Sequence, residues 1–239
     1  MKTFNEKLVE AFELNSLGDL LDSEKVTKFE KLAKLLVDTN KITNLTAITD
    51  DDGIILKHFV DCASVVRLIP KDAKVIDVGC GGGFPSLPIA ILRDDISVKS
   101  LDSTGKKIDF VKYAIDELGL IKSSAVCARA EEFVLGERES CDCCVSRAVA
   151  RLNVLSELCL PFVKVGGLFV AMKADKGREE LDEARSGISK LGGDIKNVAK
   201  CKLDYNNDSI SRELIVISKG KATPNQYPRK YSQILKKPL

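Results

Sequence analysis

The feature that most constrains this chain is a strand-forming run that leads directly into a glycine-rich turn and an apolar segment. The run is Lys74–Val78, the turn contains Gly79, Gly81 and Gly83, and the apolar segment continues to Ala90. A strand, a glycine turn and a helix in this order open a ligand pocket at the carboxyl end of the first strand of an α/β sheet. The sequence therefore predicts an α/β fold with a binding site at this turn.

The turn departs from the dinucleotide fingerprint, which has a third glycine at its sixth position for close helix–strand packing. Phe84 occupies that position, and Asp77 lies two residues before the first glycine. A carboxylate would repel a pyrophosphate, which binds helix N–H groups, but it suits a cation such as the ammonium of S-adenosylmethionine. The turn is similar to motif I of class I S-adenosylmethionine-dependent methyltransferases. Another nucleotide-binding role and a purely structural turn stay open at this point.

Asp102 provides a second signal, because it ends the next strand-like run, Ser97–Leu101. An acid at the end of the second strand, about 20 residues after the glycine turn, is placed to accept two hydrogen bonds from a ribose diol. The alternatives are an exposed turn aspartate or the N-cap of the following helix. We favour the ribose role, although nicotinamide enzymes use the same acid.

From Lys74 onward, strand patterns alternate with helix patterns, which is typical of a parallel sheet covered on both faces. No helical pattern separates the last two strands, so we expect them to pair as an antiparallel hairpin. The predicted fold is a class I methyltransferase (Rossmann-like) α/β fold, with seven mostly parallel strands and an antiparallel final strand. Strands are predicted near 74–79, 96–102, 124–128, 142–147, 167–173, 197–203 and 213–219. Helices are predicted near 85–93, 105–118, 131–135, 151–163 and 178–191.

The first 70 residues are predicted to be helical. Apolar residues recur at helical spacing in Phe4–Leu17 and in Glu24–Asp38, which Ser23 would cap. A polar loop at 40–52 and a third helix at about 53–68 complete this part. We therefore divide the chain into an N-terminal helical extension (1–70), a methyltransferase domain (71–220) and a basic C-terminal tail (221–239).

Composition indicates an ordinary globular protein, with 44% hydrophobic and 30% charged residues. No apolar run approaches the roughly 20 residues of a membrane span, and acids interrupt the apolar residues of the N-terminus. We therefore expect a cytoplasmic protein with no membrane partner. The eight cysteines include one cluster, Cys141, Cys143 and Cys144, which lacks zinc-ligand spacing. We expect free, buried or partly buried thiols and no metal, with metal or redox roles as alternatives.

The net charge is only +2, but the basic residues are unevenly distributed. The segment 219–239 contains six lysines and arginines and no acid. Such a segment is typical of contact with a polyanion. A solvated, disordered tail is the alternative.

Several segments occur in an order that is far more specific than the glycine turn alone. They are Asn40–Ile48 with Lys57–Cys62, Gly79–Ala90, Leu101–Phe110 with Ala128–Phe133, and Val145–Leu152 with Ala171–Ala174. Together they resemble the bacterial 16S ribosomal RNA guanine-N7 methyltransferase family, also called glucose-inhibited division protein B, from about Asn40 to Lys230. The resemblance implies methyl transfer from S-adenosylmethionine to N7 of a guanine in 16S rRNA. The implied partner is 16S rRNA or the small-subunit ribosomal particle, and we expect a monomer.

The resemblance also implies roles for individual residues. Ala130 and Glu131 would flank the adenine, Asp102 would bind the ribose, and Arg147 would line both the cofactor and the substrate pocket. The cofactor-binding candidates are Asp77, Gly79, Gly81, Gly83, Phe84, Asp102, Ala130, Glu131 and Arg147. The candidates for contact with RNA or the target guanine are His58, Lys106, Arg129, Arg147, Lys173, Arg229 and Lys230. The tail departs from the family at Tyr231-Ser232-Gln233, which replace a usual proline-glycine stretch.

Three of these candidates also have structural interpretations. Arg147 could brace the sheet edge by pairing with Asp142 or Glu131. His58, the only histidine of the chain, could be a buried side chain with satisfied hydrogen bonds. Lys173 follows an apolar run and could simply extend its ammonium group out of the core.

Methyl transfer to guanine N7 needs no strong general base, because N7 has an in-plane lone pair and no proton to lose. The sequence agrees with this. Ser146-Arg147-Ala148 stand where an Asn/Asp-Pro-Pro-aromatic tetrad would indicate exocyclic amino methylation. Catalysis would then depend mainly on orientation and proximity, and the sequence identifies no residue that must act as an acid or a base. The alternatives are methylation of another RNA or a small molecule, a non-catalytic RNA-binding protein and, least favoured, a nicotinamide oxidoreductase.

Overall fold

Seven runs rich in β-branched and apolar residues form the strands of one sheet. The computed structural model describes residues 2–174 and 177–239. Its strands are β1 (Lys74–Val78), β2 (Ser97–Asp102), β3 (Ser123–Cys127), β4 (Cys141–Arg147), β5 (Val163–Lys173), β6 (Gly193–Tyr205) and β7 (Asp208–Lys219). Each predicted strand is present, and β5, β6 and β7 begin four or five residues earlier than their patterns indicated.

The sheet has the order β3-β2-β1-β4-β5-β7-β6. Strands β1 to β5 pair in parallel, whereas β7 lies antiparallel to both β5 and β6. The predicted hairpin of the last two strands is confirmed, and it closes between Tyr205 and Asp208. Strand order reverses next to β1, between β1 and β4, and this is where α/β sheets bind ligands beyond their carboxyl edge.

Ten α-helices accompany the sheet in the described residues. They are α1 (Phe4–Leu14), α2 (Ser23–Thr43), α3 (Asp51–Ile54), α4 (Asp61–Ala63), α5 (Ser86–Leu92), α6 (Gly105–Glu117), α7 (Ala130–Glu137), α8 (Leu152–Cys159), α9 (Gly177–Lys190) and α10 (Tyr231–Lys236). A π-helical segment, Ile55–Val60, joins α3 to α4. Such widened turns often occur at functional sites.

The N-terminal helices differ in detail from the sequence prediction. The cap of α2 is Asp22, whose carboxylate accepts a hydrogen bond from the Lys25 amide, so the assignment of Ser23 as the cap was one residue too late. The same helix continues to Thr43, and the polar loop is therefore shorter than predicted. It ends because Asn44 adopts a left-handed conformation, which asparagine tolerates better than most residues.

Two apolar cores cover the two faces of the sheet. On one face, α1, α2, the π-helical segment, α5 and α6 pack together, and Phe12 and Phe29 of the extension belong to the same core as Val75 of β1. On the other face, α7, α8, α9 and α10 pack against the sheet. The helical extension therefore shares its core with the sheet. No helix within residues 2–174 and 177–239 is long and apolar enough to span a membrane.

The basic tail is folded against the second face, so the alternative of a disordered tail is wrong. Lys219 is a buried residue of β7, and its ammonium group donates to the carbonyls of Leu160 and Val163 at 2.7 and 3.0 Å. Ile234 of α10 is fully buried in the second core. Apolar burial and internal hydrogen bonds, which the charge pattern could not show, hold this segment in place.

All eight cysteines are free thiols in the structure. Six are buried, Cys201 is half-buried and Cys127 is exposed, so the expected buried placement holds for most of them. Burial raises the pKa of the Cys62 thiol well above its usual range, and the same cause acts on Cys143. Both side chains therefore pack as small apolar groups.

Candidate active site

The carboxyl edge of the sheet opens into a cavity of about 740 Å³. The turn after β1, Asp102 at the end of β2, the loop after β4 and Lys173 at the end of β5 line it. The extension contributes Thr46 and His58. A second, smaller cavity of about 170 Å³ adjoins the first and shares Gly79, Asp102 and Val149 with it.

The glycine turn forms a shallow cradle at the wall of the first cavity. Gly79, Gly81 and Gly83 have φ values of +76°, +57° and +87°, a conformation that residues with a Cβ rarely adopt. A Cβ on Gly79 would clash with Val149 Cγ2, whereas a Cβ on Gly81 would meet no atom within 4 Å and would project into open space. The open space beside Gly81 is therefore available to a ligand that approaches the backbone.

Asp102 holds this turn from the neighbouring strand. Its Oδ2 accepts a hydrogen bond from the Gly81 amide at 3.0 Å, and its Oδ1 accepts one from the Thr104 amide at 2.8 Å. A carboxylate oxygen offers two lone pairs, so each oxygen can accept one more hydrogen bond. Asp102 can therefore stabilise the turn and still accept hydrogen bonds from a ribose, so the two interpretations of this side chain are compatible.

Asp77 lies beneath the turn rather than at the cavity wall. It is fully buried, and its Oδ2 accepts a hydrogen bond from the Ser86 amide, at the start of α5, at 3.0 Å. Burial raises the pKa of the Asp77 carboxyl to about 7. The predicted direct contact with a cofactor ammonium does not fit this placement, because no surface of Asp77 is accessible. The sequence motif placed the acid correctly on the strand but could not show which way it points.

Phe84, His58 and Arg147 form a stacked group between the turn and the extension. The rings of His58 and Phe84 are 4.4 Å apart and nearly parallel, and the Arg147 guanidinium lies 5.6 Å from the Phe84 ring centre. Arg147 Nη2 contacts His58 Nδ1 at 3.3 Å, and Thr46 Oγ1 lies 3.0 Å from His58 Nε2. An arginine can only donate, so Nδ1 accepts and Nε2 carries the proton that it donates to Thr46.

His58 is consequently a neutral side chain with both ring nitrogens engaged. Burial and the nearby Arg147 charge lower the pKa of His58 to about 4. The interpretation of His58 as a buried histidine with satisfied hydrogen bonds agrees with these contacts. The same side chain nevertheless lines the cavity, so it contributes shape and a fixed hydrogen-bond pattern there.

Arg147 pairs with Asp61, and the alternative partners Asp142 and Glu131 are wrong. Its Nη1 donates to Asp61 Oδ2 and to the Lys57 carbonyl, both at 2.8 Å. Asp61 is fully buried and also accepts from Arg212 Nε at 2.8 Å and Nη2 at 3.1 Å. One buried carboxylate of α4 thus holds two arginines, from β4 and β7, at the mouth of the cavity.

Lys173 is buried at the end of β5 and does not extend to bulk solvent. Its ammonium group pairs with Glu180 at 2.8 Å and donates to the carbonyl of Ala150. Both Lys173 and Glu180 line the first cavity. The interpretation as a lysine that merely leaves the core is therefore wrong for this residue.

The second cavity contains five of the predicted residues, of which Gly79 and Asp102 are shared with the first cavity. Arg129, Ala130 and Glu131, at the start of α7, line it beside Asp102. Tyr231 closes it from the tail, and the Arg129 guanidinium lies 5.5 Å from the Tyr231 ring centre.

The remaining candidates lie away from both cavities. Lys106 is exposed on α6, and its neighbour Lys107 lines the first cavity instead. Arg229 forms a bidentate pair with the buried Glu157, with contacts of 2.6 and 2.9 Å. Lys230 is exposed, and its amide donates a hydrogen bond to Gln233 Oε1 at 3.3 Å. The expectation that Arg229 faces the substrate is wrong in this structure, because Glu157 occupies its guanidinium.

Sequence reasoning missed Arg212 and Asp61. Arg212 lies just before the apolar run of β7, and Asp61 lies inside the segment Lys57–Cys62 that carried the resemblance. Arg212 has no local motif, and its pairing with Asp61 joins residues 151 positions apart. The signal that could have suggested Arg212 is its place on a strand that neighbours β5, one residue before Glu213, which pairs with Lys173.

The sequence was compared with known families and proteins. The GidB family, described as "rRNA small subunit methyltransferase G", matches residues 25–214. Proteins named ribosomal RNA small subunit methyltransferase G are 42% identical in Clostridium tetani and 45% identical in Staphylococcus carnosus. The first match covers 94% of this chain and 95% of the relative, and the second covers 92% of each. The Geobacillus kaustophilus protein of the same name is 44% identical over 95% of this chain and 96% of its own length.

Solved structures with low identity share the fold. TYW2 from Pyrococcus horikoshii, in complex with MeSAdo, superposes with a TM-score of 0.56 at 18% identity, over 68% of this chain and 62% of that chain. A precorrin-6y C5,15-methyltransferase from Geobacter metallireducens superposes with a TM-score of 0.53 at 17% identity, over 67% of this chain and 86% of that chain. The predicted class I methyltransferase fold is confirmed. The family match and the identities over nearly the whole chain lead to one conclusion: this chain belongs to the GidB family, the rRNA small subunit methyltransferases G.

Proposed function

We propose that this protein transfers the methyl group of S-adenosylmethionine to N7 of a guanine in 16S ribosomal RNA. The single observation that carries this proposal is the juxtaposition of two different surfaces in one cavity. A glycine cradle with Asp102 forms one wall, and the cationic side chains Arg147, Lys173 and Arg212 form the other. The first wall suits a nucleoside-containing cofactor, and the second suits a polyanionic substrate.

The residues of the first wall fit S-adenosylmethionine. The open space at Gly81 allows the amino-acid part to approach the backbone, and the two free lone pairs of Asp102 match a ribose diol. Ala130 and Glu131 in the adjoining cavity would flank the adenine, which continues from the ribose past Gly79. When bound, S-adenosylmethionine supplies an electrophilic methyl group on a sulfonium cation.

The second wall would position the RNA. Lys107, Arg147, Lys173 and Arg212 line the cavity, together with two acids, Asp102 and Glu180. Arg147 and Arg212 are held in place by Asp61 and keep further N–H donors for phosphate or for the guanine edge. Fixed guanidinium groups lose little conformational freedom when they bind, so they can orient the reacting base at low entropic cost.

Methylation at N7 agrees with the protonation states of the cavity. His58 is neutral and both its nitrogens are engaged, so it has no free lone pair for a substrate proton. Lys173 is paired with Glu180. No residue described at the cavity wall therefore stands ready as a strong base. Guanine N7 requires none, whereas methylation of an exocyclic amino group would have to release a proton.

The proposal is tested by transfer of tritium from labelled S-adenosylmethionine to 16S rRNA taken from cells that lack this protein. The RNA is offered both naked and as small-subunit particles, and the product is mapped by mass spectrometry. We expect one 7-methylguanine in the wild-type reaction and none with Gly79→Arg. A methyl group on another atom, or full N7 methylation of rRNA from the deficient cells, contradicts the proposal.

Salt dependence separates an RNA substrate from a small molecule. Each phosphate that the protein neutralises releases counterions, so the affinity for RNA falls steeply as salt rises. We expect the KM for rRNA to rise strongly between 50 and 200 mM salt, a range over which such contacts lose orders of magnitude in affinity. A flat response would favour the small-molecule alternative.

A further inference from the structure

The wall of the smaller cavity includes one residue that is remote in sequence from the others. The other residues of the wall all lie between positions 78 and 158. They come from the ends of β1 and β2, the start of α7, Val149 and Leu158. Tyr231, the first residue of α10, completes it. The tail therefore reaches back across the molecule to the place where the proposed function puts the adenine.

Three separate contacts fix the tail at this position. Arg229 forms its bidentate pair with the buried Glu157 of α8. Arg138 donates to the carbonyl of Tyr227 at 2.7 Å. Ile234, one turn after Tyr231, is fully buried in the second core. The segment on either side of Tyr231 is thus anchored, and the ring is held rather than free to leave the cavity.

The groups that Tyr231 presents are suited to a flat heterocycle. Its ring is half-buried, and the planar Arg129 guanidinium lies 5.5 Å from the ring centre. Aromatic rings and guanidinium planes both stack on nucleobases without hydrogen-bond selectivity. Glu131, in the same wall, offers carboxylate oxygens to an exocyclic amino group. A purine that entered this cavity would meet a stacking surface and an acceptor.

We propose that the C-terminal segment Tyr227–Leu239 is part of the cofactor site, and that Tyr231 with Arg129 packs against the adenine ring. This proposal rests on the proposed function, because it places the adenine in the smaller cavity. The basic tail thereby gains a role in cofactor affinity, distinct from contact with RNA.

Calorimetric titration of S-adenosylhomocysteine into the full-length protein tests the proposal. Removing a stacked aromatic ring costs roughly 1–3 kcal/mol per base, which corresponds to about 5- to 150-fold in affinity. We expect Tyr231→Ala to weaken binding about tenfold, because Arg129 keeps one surface, and Tyr231→Phe to remain within twofold of the wild type. Tyr113→Ala, at an exposed tyrosine on α6 that lines neither cavity, is the matched control and should bind as the wild type does. Thermal melts verify that each variant is folded.

Tyrosine fluorescence gives a second readout, since the chain has four tyrosines and no tryptophan. We expect S-adenosylhomocysteine to quench the wild type and to quench Tyr231→Phe less, although that variant still binds. Equal affinity of Tyr231→Ala and the wild type overturns the role of Tyr231 while leaving the proposed function intact, provided that the wild type binds the ligand. A wild type that does not bind S-adenosylhomocysteine overturns both.

Discussion

Asp61→Asn tests the central electrostatic feature of the site, in which one buried carboxylate holds two arginines. Asp61 is fully buried, and the side chains of Arg147 and Arg212 are 14% and 20% exposed. The amide of asparagine preserves the shape but removes the charge, and only one of its two polar atoms can accept a hydrogen bond. Both arginines therefore lose their charged partner, and at least one hydrogen bond to this side chain is lost.

The structure gives the size of the expected effect. Removing one partner of a buried ion pair costs about 3–5 kcal/mol, because the remaining charge is left unpaired. Since both arginines keep some access to water, we expect the lower end, about 3 kcal/mol. An unfolding entropy of about 2.1 cal/mol/K per residue gives about 0.5 kcal/mol/K for 239 residues, so the melting temperature should fall by about 6 °C.

Differential scanning calorimetry with Asp19→Asn as the control makes this measurable. Asp19 pairs with Arg67 at 2.6 Å, but both side chains are more than half exposed, and exposed pairs contribute about 0–1 kcal/mol. Urea unfolding supplies the free energy independently. The reasoning is refuted if Asp61→Asn destabilises the protein no more than Asp19→Asn does. In that case the two arginines would be held by other contacts, and their placement would not depend on α4.

Three further predictions concern the turn, the histidine and the tail. Gly79→Ala should weaken S-adenosylhomocysteine binding more than tenfold in calorimetry, because the new Cβ would clash with Val149. The control is Gly119→Ala, which is also at positive φ but has open space around it and should leave binding unchanged. The pKa of His58 is about 4 in the folded protein and about 6.5 unfolded, so its contribution to stability is present above pH 6.5 and is lost as the pH falls. Between pH 7 and 5 the wild type should lose about 2 kcal/mol more unfolding free energy than His58→Gln in urea titrations, and parallel curves would contradict this. Glu157→Gln should release the tail, because Arg229 loses its charged partner, and trypsin should then cleave the C-terminal segment faster. An unchanged cleavage rate would show that the buried Ile234 is a sufficient anchor by itself.

The sheet and the glycine turn were predictable from sequence because their signals are local. Each strand has its own apolar run, and the turn after β1 combines glycines with Phe84 in a pattern that favours one class of cofactor. Helix ends were less certain, as the cap of α2 shows, because Asp22 and Ser23 are both good capping residues and only geometry selects between them.

Features that depend on distant residues could not be predicted in the same way. The partners of Arg147 were sought nearby in the sheet, at Asp142 and Glu131, whereas the actual partner, Asp61, lies 86 residues away on the extension. The docking of the tail depends on Arg229 and a buried carboxylate 72 positions earlier. Charge composition indicated that the tail was basic but contained no information about this partner.

The shared carboxylate has a consequence for how the protein can be divided and regulated. Because Asp61 belongs to the helical extension while Arg147 and Arg212 belong to the sheet, assembly of the extension and completion of the site are one event. A fragment that starts at residue 71 would keep the glycine cradle but would lack the residue that holds Arg147 and Arg212. Because the extension and the sheet share one apolar core, we expect the extension, the sheet and the activity to be lost together on heating. Activity would then report on the integrity of the whole chain.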